Sequence, residues 1–74
     1  MSPKKSIATL FGARLRELRQ QAGLTQEQLA EGAGVSVNFV SLVERGQKSP
    51  TLATMEKFAK ALNVPLMELF RFSE

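Results

Sequence analysis

The chain contains no cysteine, histidine, tryptophan or tyrosine, and no aspartate. Without cysteine there is no disulfide framework, which fits a reducing cytoplasm better than a small secreted scaffold. Seven glutamates are the only side-chain carboxylates. With no histidine or cysteine beside them, neither a zinc site nor a Ser-His-Asp triad can be built, and no cofactor is expected. No acid–base constellation is available for an enzyme either. No apolar run approaches the roughly 20 residues of a membrane helix. The basic start, M-S-P-K-K-S, lacks the continuous apolar region of a signal peptide. All five aromatic residues are phenylalanines, and most fall on apolar stripes, so no exposed stacking platform for single-stranded nucleic acid is expected.

What is present is one small domain. Its 74 residues have room for a single core, and a chain this short gains from association. The net charge of +3 is unevenly placed: residues 1–24 carry +4, residues 25–46 carry −2 and residues 47–74 carry +1. A basic balance permits a polyanionic partner without establishing one.

The organising stretch runs from Thr25 to Gly46, T-Q-E-Q-L-A-E-G-A-G-V-S-V-N-F-V-S-L-V-E-R-G. Thr25 with Gln28 three residues later makes a capping box. Leu29, Ala30 and Ala33 mark an apolar face, and Gly34 suits the left-handed stop of a helix. Ser36 caps a second helix that ends at Gly46. Two short helices around a glycine turn form a helix-turn-helix signature. This unit is itself acidic, so contacts to a polyanion would come partly from its flanks and from helix N-termini.

Along the chain, residues 1–5 read as a flexible arm and residues 6–74 as the folded domain. Helix 1 is expected from Ser6 to Ala22, with Ile7, Leu10, Phe11, Leu15, Leu18 and Ala22 on one stripe and Gly12 inside it. Helix 2 spans about Gln26 to Ala33, helix 3 about Val37 to Arg45. On helix 3, Phe39, Val40 and Val43 cluster on one side, while Val37, Asn38, Ser41, Leu42 and Arg45 lie around the other. Val37 and Leu42 beside polar donors suit a face that meets thymine methyls while Asn38 and Ser41 meet base edges; a protein-contact face is the alternative. Gln47 to Pro50 form a polar loop. Thr51 caps helix 4, about Leu52 to Leu62, with Leu52, Met55, Phe58, Ala59 and Leu62 inward. Pro65 opens a fifth helix to about Phe70. Leu66, Leu69 and Phe70 are expected to complete the core, with Met67 and Phe72 left partly outside as an association patch. The architecture expected is all-α, a five-helix repressor-like domain.

From about Leu10 to Phe70 the chain resembles the Xre family, the phage repressor and Cro type of helix-turn-helix. The resemblance is carried by L-R-E-L-R-Q-Q-A-G-L-T-Q-E-Q-L-A, G-V-S-V-N-F-V-S-L-V-E-R-G and S-P-T-L-A-T-M-E-K-F-A-K-A-L-N-V-P-L-M-E-L-F. Its size and the run E-R-G-Q-K-S-P-T-L are similar to the small controller proteins of restriction–modification systems.

The resemblance implies base reading by Ser36, Val37, Asn38, Ser41, Leu42 and Arg45. It implies phosphate contacts from Thr25, Gln26, Lys48 and Ser49, and an ion pair of Arg19 with Glu44 tying helix 1 to helix 3. A dimer interface is expected at Met67, Phe70 and Phe72. Val37 and Leu42 stand where the family often has glutamine or arginine, which shifts reading towards DNA shape, Asn38, Ser41 and Arg45. The function implied is a cytoplasmic, nucleoid-associated regulator of transcription. It would bind near-palindromic double-stranded DNA as a homodimer and regulate its own promoter, as repressor or activator. With no effector domain after helix 5, protein concentration and the dimer equilibrium are the expected controls. A contact with RNA polymerase or a partner protein stays open, as does an antitoxin-like, protein-binding role for the same module.

Overall fold

A computed structural model describes residues 5–72, so all but Lys5 of the expected N-terminal arm lies outside the described residues. Among those residues the chain forms four α-helices and one 3-10 turn: α1 (Ile7–Gln21), α2 (Gln26–Ala33), α3 (Val37–Glu44), α4 (Leu52–Leu62) and the 3-10 turn (Leu66–Phe70). Each α-helix starts on a hydroxyl cap. Ser6, Thr25, Ser36 and Thr51 accept from the backbone N–H three residues on, satisfying a donor that has no partner within its helix. At Thr25 the capping box is complete, with the Gln28 side chain accepting from the Thr25 N–H at 2.9 Å. Gly34 ends α2 at φ 70°, ψ 33°, a conformation that costs a glycine nothing. Two residues later Ser36 starts α3.

The expected fifth helix is corrected to a single 3-10 turn. Pro65 precedes it as an extended residue (φ −62°, ψ 149°) instead of standing at its first helical position. Five residues are too few to repay the nucleation of an α-helix. The Glu68 N–H reaches back only three residues, to the Pro65 carbonyl at 3.0 Å, the tighter 3-10 pattern. Arg14 Nε donates to the Glu68 carbonyl at 2.8 Å, which fixes the turn against α1.

The core is one cluster, led by Phe11, Leu15, Leu29, Val40, Val43, Phe58 and Leu69. α1 packs on α3, α2 on both α3 and α4, and the 3-10 turn on α1 and α4. Gly12 is where α1 meets the end of α3. A Cβ there would collide with the Val43 carbonyl oxygen and lie 2.8 Å from that of Glu44.

Several residues expected in the core are not there. Ile7 and Leu52 are 63% and 73% exposed. Each opens its helix, and side chains tilt towards the N-terminus, so both project past the last neighbour. Ala22 is exposed at the end of α1, and Phe39 is half-buried, stacked on Phe58 with centroids 6.5 Å apart. In the 3-10 turn only Leu69 is buried; Leu66 and Phe70 are exposed. Phe72, expected partly outside, is half-buried against the core and meets the Phe70 ring edge-on at 6.2 Å.

Candidate nucleic-acid interface

Glu44, the last residue of α3, is the only buried charged residue among those described, with its side chain 3% exposed. Three donors surround it. Arg19 Nε reaches Oε2 at 2.6 Å and Arg19 Nη2 reaches Oε1 at 3.1 Å, a bidentate grip. Gln26 Nε2 donates to Oε1 at 3.0 Å. Arg19 Nη1 also donates to the Leu24 carbonyl at 2.9 Å. The hydrogen bond to Glu44 is the main cause of a raised Arg19 pKa; burial opposes it and the Glu44 charge adds to it. The result is a rigid bracket. α1 holds the end of α3, and the first residue of α2 is drawn to the same carboxylate.

The bracket decides what Gln26 can offer. Its NH2 group serves Glu44, so the amide is held at the α2 N-terminus in a set orientation. Thr25 and Ser36 accept the Gln28 and Phe39 N–H groups with their hydroxyls, so both act first as helix caps. Asn38 and Arg45 are exposed, and Ser41 and Leu42 are half-buried. Val37 is 43% exposed. Arg45 Nε leans on the Ser41 carbonyl at 3.3 Å. Lys48 and Ser49 are exposed in the loop that follows. The Gln26–Glu44 bond therefore sets the start of α2 beside the end of α3, where Arg45 and the loop begin. Val40 and Val43 face the opposite way, into the core.

Met67 and Phe70 project from the 3-10 turn, 70% and 39% exposed. Phe70 edges a shallow apolar cleft of about 110 Å³ that also takes in Ile7, Phe11, Pro50 and Met55. Phe72, in edge-on contact with Phe70, also lines a groove with Thr9, Leu10, Ala13 and Arg14.

Two features carry no local sequence signal. Arg14 binds the Glu68 carboxylate at 3.0 Å as well as the Glu68 carbonyl, and also pairs with Glu17. Only the Glu17 pairing, three residues away on the same helix, is readable from spacing. Pro50, expected in a polar connector, is buried.

Residues 15–69 match the helix-turn-helix family HTH_3. Over 65 residues the chain is 43% identical to the cryptic phage CTXphi transcriptional repressor RstR of Vibrio cholerae, covering 88% of this chain and 59% of the repressor. Over 61 residues it is 43% identical to the HTH-type transcriptional regulator SutR of Escherichia coli K12, covering 82% of this chain and 34% of SutR. The chain thus spans less than two thirds of either regulator. Among solved structures, the restriction-modification controller protein C.AhdI from Aeromonas hydrophila is 46% identical. It superposes with a TM-score of 0.84, covering 85% of this chain and 96% of that one.

Proposed function

This chain belongs to the helix-turn-helix family HTH_3, and on that premise we propose that it is a sequence-specific regulator of transcription that binds double-stranded DNA. The observation that carries the reading is the Arg19–Glu44–Gln26 bracket. It fixes α2 and α3 as one body and leaves Asn38, Ser41 and Arg45 facing outward beside Lys48. α3 enters the major groove and α2 crosses the backbone, where Gln26 meets a phosphate. Asn38 and Arg45 contact base edges or the adjoining backbone, and Lys48 and Ser49 hold phosphates.

The protein acts as a homodimer through the exposed edge of the 3-10 turn. Its two α3 helices meet half-sites one helical turn apart, about 34–36 Å, so the operator is a near-palindrome. Regulation of its own promoter, in the manner of a controller protein, goes with this reading, as does a place in the cytoplasm on the nucleoid. The relatives' names are those of a repressor, a regulator and a controller, which supports a role without catalysis.

Selection of bound duplexes from a random pool, at stated salt, tests the proposal. The expected outcome is an enriched near-palindrome with half-sites one turn apart; a pool that never enriches refutes it. The exposed Met67 and Phe70 favour a second reading, a module that holds a different protein. Co-purification of a partner at fixed stoichiometry with no retardation of any duplex would favour that reading.

A further inference from the structure

The outward face of α3 is apolar at both flanks. At 100° per residue, Val37, Ser41, Arg45, Asn38 and Leu42 follow one another around an arc of about 140°. The aliphatic side chains stand at its two ends, and the amide, hydroxyl and guanidinium lie between them. Neither aliphatic residue belongs to the buried core, which α3 reaches through Val40 and Val43. Val37 is 43% exposed and Leu42 half-buried. Exposed Arg45 and Lys48 adjoin this face, and among the described residues no carboxylate pairs with either. The occupant the face suits is therefore polyanionic and displays small apolar groups among hydrogen-bonding edges. Duplex DNA meets that description in its major groove. There the apolar group on a base edge is the C5-methyl of a pyrimidine, present on thymine and on 5-methylcytosine.

We propose that Val37 and Leu42 are specificity determinants that pack against pyrimidine C5-methyl groups, so that binding depends on the methyl itself at defined positions of the site. The inference rests on the DNA-binding reading above and deepens it. Asn38 and Ser41 offer hydrogen bonds, which uracil and thymine accept alike through O4. The methyl is visible only to an apolar contact, and the two flanks of the arc are where α3 can supply one.

The test uses a duplex enriched from the random pool, with each thymine replaced in turn by deoxyuridine and affinity read by fluorescence anisotropy at fixed salt. The expected result is a loss of about fourfold at the contacted positions, the effect of baring one methyl-sized group, and little change elsewhere. In Val37→Ala and Leu42→Ala chains those losses should shrink towards none. Leu42→Gln, close in volume but polar at its end, should shrink them as well and keeps the measurement available if Leu42→Ala unfolds. At a sensitive position a second pair of duplexes carries cytosine or 5-methylcytosine. A gain with the methylated base supports a contact to the methyl itself, and no gain at any sensitive position counts against it. Equal binding of thymine and deoxyuridine at every position overturns it while leaving DNA binding intact. Penalties that persist unchanged in both alanine variants overturn the assignment to these two residues. If no duplex enriches, both this inference and the DNA-binding reading fall.

Discussion

Glu44 accepts from Arg19 twice and from Gln26 once while almost wholly out of solvent. Its removal strands a guanidinium whose side chain is only 12% exposed. Glu44→Ala should therefore cost about 3–5 kcal/mol, the penalty for breaking a buried pair from one side. Replacing both partners by apolar groups, Arg19→Met with Glu44→Leu, should recover most of that loss. Urea denaturation of the single and double variants measures the difference, and a double variant no more stable than the single would show that packing, not charge, is at stake. The pH sign follows from the raised Arg19 pKa. A cation stabilised in the folded state contributes in full below its unfolded pKa, and the contribution fades only as alkali titrates the guanidinium. The Arg19-dependent part of stability should thus stay flat between about pH 6 and 9. On the reading face, Asn38→Ala should flatten discrimination at one or two operator positions by about 1–3 kcal/mol each. Arg45→Ala should lower affinity, and selection profiles of the two variants separate a base contact from a phosphate contact: only a base contact changes the preferred sequence. Unaltered discrimination at every position after Asn38→Ala would count against that residue as a reader.

Helix starts were readable in the sequence because a cap is a local bond: Ser6, Thr25, Ser36 and Thr51 each sit three residues before the N–H they accept. The stop of α2 was readable at Gly34, which lies in the left-handed region, because few other residues tolerate it. Features that depend on a distant neighbour were not. The stripe of α1 contains Ile7, but nothing in its spacing tells that no element extends far enough to cover it. The last helix failed for the same reason, since whether five residues close as α or 3-10 is decided partly by Arg14, fifty-four positions away. Of the candidate site, the order of α2, turn and α3 and the outward set on α3 were legible. The Gln26–Glu44 bond was not, because it joins the start of one helix to the end of another. Gly12 makes the point quantitative. Helix propensity alone predicts that Gly12→Ala stabilises α1 by about 1 kcal/mol. The collision with the Val43 carbonyl argues the reverse, because backbone at the end of α3 cannot rotate away like a side chain. Net destabilisation of about 1–3 kcal/mol is expected, read as a lower midpoint in thermal or urea unfolding. A rise in stability would mean that α1 can lift from α3.

At the scale of the whole molecule, a core this small leaves large apolar groups over, and their placement bears on association. In a 3-10 turn, side chains three apart eclipse. Leu66 and Leu69 thus share one edge, which turns inward at Leu69, while Met67 and Phe70 share the other. The exposed edge continues at Phe70 into the cleft beside Ile7, so the apolar surface runs from the 3-10 turn back to the start of α1. Arg14 fixes the turn to α1 through the Glu68 carbonyl and carboxylate, so this surface has a set shape before any partner arrives and loses little entropy on docking. If a second copy covers it, dimerisation and operator binding are linked, since only the dimer presents two α3 helices at fixed spacing. Met67→Asp places a charge at the centre of the exposed edge, where its burial in a dimer would be costly, while a monomer leaves it in water at little cost to the fold. Sedimentation equilibrium should then show a shift to monomer with an unaltered thermal midpoint at low concentration. Affinity for the full operator should fall by tenfold or more (about 1.4 kcal/mol), with the half-site preference set by α3 unchanged. A variant that stays dimeric, or one that becomes monomeric yet binds the full operator as before, would move the association surface away from the 3-10 turn.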